Sequence, residues 1–412
     1  MSVFTECQLS SGVCLKNRFV KAAMEENLAD ANQLPSQALF NLYQAWAKGG
    51  VGLIITGNVM VDRFAMTGPG GVVLEKDTPL DAFEKWAKQA QLNNTKVIMQ
   101  INHPGRQVFK RMGGKVLSPS DVALNMGKHS GLFETPKAMT EDEIHDVITR
   151  FVDTALQAQR AGFDGVEIHA AHGYLLSQFL SPLTNKRKDE WGGSIQNRSR
   201  LLINIVSQVK EACGEQFILS VKLNSADFQR GGFDINDASV VINALAPFNL
   251  DFIELSGGSY EAPAMQGKSG DDRTLAREAY FLEFAKKLVS ESSTPLMVTG
   301  GIKRLAVAQN AVEAGMSLVG LASALAYKPD LINKWLHEPE LLGYIPKVDW
   351  KDKTLAGLAN MSLVKRQLRR LGANKLPMNN ASAFFSLIMD QIKVFRLTKR
   401  YKQHLNKQTQ TN

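Results

Sequence analysis

Short apolar runs alternate with longer amphipathic segments along most of the chain. Eight of these runs are rich in Val, Ile and Leu and lack polar alternation, which is typical of parallel strands buried on both faces. They lie at Phe19–Met24, Val51–Thr56, Lys96–Ile101, Asp164–Ile168, Phe217–Leu223, Asp251–Leu255, Leu296–Thr299 and Ser317–Leu321. Strands that alternate with helices in this way predict an α/β protein with a (β/α)8 TIM barrel, and an open doubly wound sheet is the alternative.

The helical pattern is clearest after residue 140. Thr140 and Glu143 have the spacing of a capping box, and the apolar residues that follow share one helical face. A long loop rich in Gly, Ser and Pro separates the third predicted strand from Thr140. In a barrel this loop lies at the catalytic face, where long loops shape substrate access, although a tolerated insertion would give the same pattern.

The composition excludes several classes of protein. The chain has 412 residues, of which 44% are hydrophobic and 21% charged, as in folded proteins. Three cysteines, Cys7, Cys14 and Cys213, are too few and too dispersed for a disulfide framework or an iron–sulfur cluster, and no metal site is predicted. The first residues lack a signal-peptide pattern, and no uncharged apolar stretch reaches the about 18 residues of a membrane span. We therefore expect a cytoplasmic protein.

The net charge of +8 is distributed unevenly along the chain. Residues 347–412 contain 14 Lys and Arg against three acidic residues, a net charge of +11, which leaves residues 1–346 at −3. The predicted division is a barrel over residues 1–346 and a basic, helical C-terminal extension over residues 347–412. Because the barrel has no excess of positive charge, a nucleic-acid partner is not expected.

The extension contains two predicted helices, Met361–Leu371 and Ala381–Arg400. One face of the second helix is apolar and has to be covered by something. Its residues are Phe384, Phe385, Ile388, Met389, Ile392 and Phe395. Docking on the barrel, or on a neighbouring subunit of a homo-oligomer, would cover this face. Peripheral attachment to an anionic membrane, aided by the basic residues, is the alternative.

Three polar residues follow the fourth predicted strand at its carboxyl end. His169, His172 and Tyr174 therefore fall where the active sites of barrel enzymes lie. Two imidazole N–H groups can bind and polarise one carbonyl oxygen, and a nearby tyrosine hydroxyl can release a proton as a general acid. A structural role for the two histidines is the alternative at this stage.

Other positions have the chemistry of ligand contacts. Gln100, at the end of the third strand, has an amide that can pair with the imide edge of a flavin or pyrimidine. Lys222 interrupts an apolar strand, so it faces either a negative ligand group or a carboxylate, and we favour the ligand. Gly300 and Gly301 follow the seventh strand and expose backbone N–H groups, as in barrels that bind phosphate there.

These motifs together resemble the old yellow enzymes, a family of FMN-dependent NAD(P)H:flavin oxidoreductases. The most specific matches are His169 to Pro182, with the sequence HAAHGYLLSQFLSP, and Asn185 to Arg198, with the sequence NKRKDEWGGSIQNR. Further matches are LKNRFV, GGVGLIIT, QINHPGR and VTGGI, all in the family's order. The resemblance extends over residues 1–340 and implies a TIM barrel that binds FMN.

The resemblance implies a role for each candidate residue. His169 and His172 would anchor the carbonyl oxygen of an α,β-unsaturated substrate, and Tyr174 would donate a proton. Lys222 would stabilise the anionic reduced isoalloxazine, and Gly300 and Gly301 would bind the phosphate of FMN. The remaining expected FMN contacts are Ala23, Met24, Asn58 and Gln100.

The chain departs from the family's pattern at two places near the expected flavin. Glu25 stands where many members have Thr or Cys, and it would lower the flavin potential if ionised or donate a hydrogen bond if protonated. Ala322-Ser323 stands where the family has a Gly-Arg phosphate clamp, which leaves backbone amides and a hydroxyl for the phosphate. We expect either that FMN is held more weakly or that Lys303 or Arg304 substitutes for the missing cation.

The implied activity is transfer of a hydride from NAD(P)H to FMN, and from FMN to the C=C bond of an enone-type substrate. Neither a Walker A sequence nor G-x-G-x-x-G follows any predicted strand, in agreement with a diffusible nicotinamide. A phosphate-binding barrel aldolase or isomerase, with Lys222 as a Schiff-base nucleophile, is the alternative function.

Overall fold

A computed structural model describes residues 1–262 and 282–409. Within these residues, eight parallel strands form a barrel. They are β1 (Phe19–Lys21), β2 (Leu53–Ile55), β3 (Lys96–Asn102), β4 (Gly165–Ala170), β5 (Ile218–Asn224), β6 (Phe252–Ser256), β7 (Leu296–Thr299) and β8 (Leu318–Leu321). Each strand falls on one of the apolar runs predicted from the sequence.

The barrel closes where the first strand meets the last. β8 pairs with β1, with Val319 opposite Phe19, and the other strands pair with their neighbours in chain order. An open sheet would have two edge strands, each paired on one side only, whereas here every strand of the barrel has a neighbour on both sides. The predicted (β/α)8 TIM barrel is therefore confirmed, and the doubly wound alternative is excluded.

Helices surround the barrel and continue into the extension. Those up to residue 335 are α1 (Gln37–Lys48), α2 (Asp81–Ala90), α3 (Glu141–Arg160), α4 (Leu175–Leu180), α5 (Ile195–Cys213), α6 (Ile235–Leu245), α7 (Leu282–Val289), α8 (Leu305–Glu313), α9 (Ser323–Tyr327) and α10 (Leu331–Trp335). The extension consists mainly of α11 (Lys353–Gly372) and α12 (Ala383–Thr409).

The start of α3 shows how the sequence sets a helix boundary. The Thr140 hydroxyl accepts a hydrogen bond from the Glu143 N–H at 3.2 Å, and the Glu143 carboxylate accepts one from the Thr140 N–H at 2.8 Å. This reciprocal pair is the predicted capping box, which satisfies N–H groups that have no partner within the helix. The face that α3 buries contains the predicted Ile144, Val147, Ile148, Phe151 and Ala155.

Successive residues of each strand point alternately into the barrel and towards the helices. The inward residues nearest the amino ends are apolar, and they include Val20, Leu53, Ile98, Ile218, Phe252, Met297 and Leu318. Outward residues such as Phe19, Val97 and Val298 belong to the larger core shared with the helices. On β3 to β6, the inward positions nearer the carboxyl ends are polar, and these positions form the floor of the candidate site.

The extension is attached to the barrel by polar contacts. The Asn41 side chain on α1 donates to the Gly372 carbonyl at 2.9 Å. On α12, Arg400 donates to the carbonyls of Ala29 and Asp30 at 3.0 Å, and the Tyr401 hydroxyl donates to the Arg63 carbonyl at 2.9 Å. Both predicted helices of the extension are present, although each is longer than the sequence indicated.

The apolar face of α12 does not dock on the barrel, so that expectation is wrong. Its residues are between 40% and 72% exposed: Phe384, Phe385, Ile388, Met389, Ile392 and Phe395. The helix buries its polar side instead, because Ser386 and Asp390 accept hydrogen bonds from Arg366 and Arg369 of α11. In the part of the chain that the structure describes, no helix is long and apolar enough to cross a membrane.

Candidate active site

The strand register brings polar side chains together inside the barrel. Gln100 on β3 lies opposite Glu167 on β4, and Lys222 on β5 lies between His169 on β4 and Glu254 on β6. Paired residues on neighbouring strands point to the same side of a sheet, so these five side chains share the interior of the barrel.

Lys222 forms a buried ion pair with Glu254. The distance between Lys222 Nζ and Glu254 Oε1 is 2.7 Å, and the side chains are 5% and 0% exposed. The neighbouring strand therefore supplies a carboxylate partner for Lys222, and the expected contact with a ligand stays a prediction. An ammonium group has three donors, so Glu254 leaves two of them for a further acceptor.

The side-chain amide of Gln100 donates a hydrogen bond to a second buried carboxyl group. Gln100 Nε2 donates to Glu167 Oε2 at 2.5 Å. Burial, and then the nearby charge of Glu254, raise the pKa of Glu167 well above its usual value. Sequence reasoning missed Glu167 and Glu254, although each is a charged residue in an apolar strand, which is the signal that pointed to Lys222.

His169 and His172 lie together above this layer. Their ring centroids are 5.0 Å apart, and His169 is 4.9 Å from the Tyr174 ring. His169 Nδ1 accepts a hydrogen bond from the Ala171 N–H at 3.2 Å, which places the proton of the neutral ring on Nε2. Burial lowers the pKa of both histidines well below the usual value, so both rings are neutral at pH 7.

His172 is held in position through both its backbone and its ring. Its φ of 61° lies in the left-handed region. Its N–H donates to Asn224 at 3.1 Å, its carbonyl accepts from Gln107 at 3.1 Å, and its Nε2 lies 2.7 Å from the Ser256 hydroxyl. These contacts hold an uncommon backbone conformation and direct the imidazole towards the interior.

The Tyr174 hydroxyl forms a hydrogen bond with a second tyrosine that sequence reasoning missed. Tyr260, in the loop after β6, places its hydroxyl 3.1 Å away. The next residue, Glu261, forms an ion pair of 2.6 Å with the buried Arg106 and so fixes this loop. Burial, and then the proximity of Tyr260 and Glu25, raise the pKa of Tyr174 well above its usual value, while a hydrogen bond with Asn58 opposes the shift.

Glu25 lies in the loop between β1 and α1, directly after Ala23 and Met24. Its Oε1 accepts from the Thr67 hydroxyl at 3.0 Å, and its Oε2 lies 3.2 Å from Lys365 Nζ on α11. Burial alone would raise the pKa of Glu25, but Lys365 and these hydrogen bonds lower it below its usual value. Glu25 is therefore ionised, and its cation comes from the extension, which the sequence did not indicate.

The predicted phosphate contacts lie side by side at the carboxyl ends of β7 and β8. Gly300 and Gly301 have φ values of 120° and 68°, a backbone that favours glycine. The register pairs Thr299 with Gly320, which brings this turn next to Ala322 and Ser323 at the start of α9. The structure thus places both predicted segments together.

The residues at this end of the barrel fit FMN. Asn58 Oδ1 is buried without a hydrogen-bond partner among the described residues, which suits an N–H donor on a ligand. Lys222 has donors left for an electron-rich ring edge, and the glycine turn exposes amides to a phosphate. The arrangement is that of a flavin-dependent oxidoreductase whose active site lies at the carboxyl-terminal face of a TIM barrel.

The chain belongs to the NADH:flavin oxidoreductase / NADH oxidase family, whose model it matches over residues 2–340. This finding confirms the resemblance to the old yellow enzymes and identifies the cofactor as FMN, with NAD(P)H as the hydride donor. One relative, the NADH-dependent flavin oxidoreductase nadA of Aspergillus parasiticus, is 34% identical and is aligned over 89% of this chain and 84% of its own length. Another, iliE of Hypocrea jecorina, is 36% identical over 83% of this chain and 92% of its own length.

Solved structures share the fold. An old yellow enzyme homologue from Zymomonas mobilis has a TM-score of 0.71 at 22% identity, covering 84% of this chain and 95% of its own. Morphinone reductase has a TM-score of 0.69 at 23% identity, covering 84% and 91%. Both likenesses confirm the barrel.

Proposed function

We propose that the enzyme reduces the activated C=C bond of α,β-unsaturated carbonyl compounds, with His169 and His172 binding the carbonyl oxygen and Tyr174 donating the proton. The observation that supports this most strongly is the cluster of two neutral imidazoles and a protonated tyrosine at the carboxyl end of β4. It contains two N–H donors and one proton donor, which is what reduction of an enone requires.

The histidines act as hydrogen-bond donors to the substrate oxygen. His169 carries its proton on Nε2, because its Nδ1 already accepts a hydrogen bond from the backbone. As negative charge develops on the carbonyl oxygen, donors held in a buried site stabilise it more than water would. The hydrogen bond between His172 and Ser256 fixes the second ring in the same region.

Tyr174 supplies the proton to the α-carbon. Its raised pKa keeps the hydroxyl protonated at neutral pH, so the group is ready to donate. After donation, the Tyr260 hydroxyl at 3.1 Å is close enough to pass a proton back to Tyr174.

The chemistry that FMN supplies when bound is hydride transfer, taken from NAD(P)H and given to the β-carbon of the substrate. The residues proposed to hold it are Ala23, Met24, Glu25, Asn58, Gln100, Lys222, Gly300, Gly301, Ala322 and Ser323. Lys222 and Gln100 do so from within the buried polar layer, where their contacts with Glu254 and Glu167 fix their orientation.

The aldolase alternative is not supported by the environment of Lys222. A Schiff-base lysine has to be a free amine to attack a carbonyl group. Lys222 Nζ lies 2.7 Å from the buried Glu254 carboxylate, so this nitrogen is held in an ion pair and is not free to attack a carbonyl group. The ion pair therefore suits a fixed cation better than a nucleophile.

The proposed function is tested by separating the two half-reactions. We expect purified protein to be yellow, to be reduced anaerobically by NADH or NADPH, and to be reoxidised by an enone. Stopped-flow absorbance of the flavin near 450 nm records both steps. Reduction by nicotinamide without reoxidation by any enone in a broad panel would contradict the proposed substrate class.

Substituting His172 checks the oxygen-binding pair. We expect His172→Ala to weaken the binding of phenols, whose oxygen mimics the substrate carbonyl, by roughly 5- to 10-fold, since one hydrogen bond is worth about 1 kcal/mol. Titration of the flavin spectrum with a phenol measures this change. His172→Asn is the control for the backbone, because Asn tolerates a positive φ and retains a donor. Unchanged phenol affinity in His172→Ala would exclude the assignment.

We further propose that the C-terminal extension, residues 347–412, binds the surface of an anionic membrane through α12. The exposed apolar residues from Phe384 to Phe395 are followed by the exposed Arg396, Lys399 and Lys402. An apolar face next to positive charge matches a lipid interface, where each Lys or Arg adds about 1 kcal/mol. Self-association through this face is the competing possibility.

Sedimentation with vesicles tests the membrane proposal in the full-length chain. We expect binding to vesicles that contain phosphatidylserine at low salt, weaker binding at high salt, and loss of binding in the triple variant Phe384→Ser, Ile388→Ser, Phe395→Ser. Leu336→Ser, at another exposed apolar position, is the matched control. A concentration-dependent dimer that the triple variant abolishes, without vesicle binding by the native chain, would overturn the proposal.

A further inference from the structure

The loop that carries Glu25 is held in place by both helices of the extension. Arg400 on α12 donates to the carbonyls of Ala29 and Asp30 at 3.0 Å. Lys365 on α11 donates to Asn27 Oδ1 at 2.6 Å. The loop itself contains Asn27 in the left-handed region, with a φ of 54°. Its conformation therefore depends on residues far along the chain.

The Glu25 carboxylate is held from two sides. Lys365 Nζ lies 3.2 Å from Glu25 Oε2, and the Thr67 hydroxyl donates to Oε1 at 3.0 Å. The Lys365 side chain is 17% exposed and that of Glu25 is 33% exposed, so the pair is partly shielded from water. Charges in such a position interact more strongly than a pair on the open surface.

The charge of Glu25 acts on the proposed proton donor. Its proximity raises the pKa of Tyr174 and also that of Tyr260. Lys365 is the cation that offsets this negative charge. Arg369, one turn further along α11, forms its ion pair of 2.8 Å with Asp390 on α12. Lys365 and Arg369 thus serve different purposes, since the ion pair of Lys365 lies at the site and that of Arg369 joins the two helices.

We propose that Lys365 is a positioning residue of the active site, which holds the Glu25 carboxylate in place and neutralises its charge beside the flavin and the two tyrosines. The proposal rests on the proposed function, because it takes Glu25 to be an FMN contact. It makes the extension a component of the active site. The electrostatic consequence is that removing either member of the pair changes the charge at the site by one unit, in opposite directions.

The midpoint potential of bound FMN, measured in the full-length holoenzyme, tests this proposal. We expect Lys365→Met to shift the potential to more negative values, because an uncompensated carboxylate opposes the addition of electrons. Glu25→Gln should shift it to more positive values, because Lys365 loses its counter-charge. The double variant should lie close to the native enzyme, because it removes one positive and one negative charge and leaves the net charge of the site unchanged.

Two further variants separate this role from structural support. Lys365→Arg keeps the charge and should keep the native potential. Arg369→Met removes the other ion pair of α11 and should leave the potential unchanged while lowering the melting temperature. No shift in Glu25→Gln, or an equal shift in Arg369→Met and Lys365→Met, would overturn the proposal. Reoxidation of the native enzyme by enones is a separate measurement. If the expected shifts in potential are absent, the role of Lys365 fails while the proposed function still stands or falls on that measurement.

Discussion

Replacing Tyr174 with phenylalanine should slow the reoxidation of the flavin by enones about 10²- to 10⁴-fold, the usual contribution of a positioned general acid. Reduction of the flavin by NAD(P)H should stay close to the native rate, because that half-reaction takes no proton from Tyr174. The ring of Tyr174 is buried and remains in the variant, so the packing against His169 is retained.

Anaerobic stopped-flow measurement of each half-reaction gives the comparison directly. Tyr260→Phe is the matched control, because it removes the hydroxyl at 3.1 Å and leaves the donor itself in place. We expect that control to slow enone reduction less than Tyr174→Phe does. Equal slowing of both half-reactions by Tyr174→Phe would show that this residue shapes the site and does not donate the proton.

Breaking the buried ion pair should have the largest effect on stability. We expect Lys222→Met to lower the free energy of unfolding by about 3–5 kcal/mol, because it leaves Glu254 as a buried, uncompensated charge. The double variant Lys222→Met, Glu254→Leu removes both charges and should regain much of the loss.

Urea denaturation of the flavin-free proteins measures these differences without a contribution from cofactor binding. The same variants report on the cofactor, since Lys222→Met and the double variant both lack the cation and should both bind FMN more weakly. If the double variant is no more stable than Lys222→Met, the loss comes from packing and not from the unpaired carboxylate.

The barrel could be predicted from the sequence because its strands are continuous apolar runs. β7 was predicted with its observed bounds, Leu296–Thr299, since a polar residue and two glycines end the run. His169, His172 and Tyr174 could also be found, because a short segment following one strand holds all of them. These three residues are close together in the sequence, and their side chains are also close together in the structure.

Contacts between distant segments could not be predicted in this way. The partner of Lys222 depends on which residue of β6 lies opposite it, and register is not encoded within a single strand. Tyr260 and Lys365 reach the site from other loops and helices. The amphipathic pattern of α12 suggested that its apolar face is buried. Instead, Arg366 and Arg369 on α11 form hydrogen bonds with the polar side of α12, and that side is the buried one.

The position of Lys365 also has a consequence for synthesis on the ribosome. Chains fold as they emerge, beginning with the N-terminal part. Here β1 can pair with β2 early, but its second partner, β8, is made only later, and the loop after β1 gains its contacts with α11 and α12 later still. A nascent chain that has closed its barrel therefore has an active-site loop without its final supports, and residues translated after the barrel complete the first part of the site.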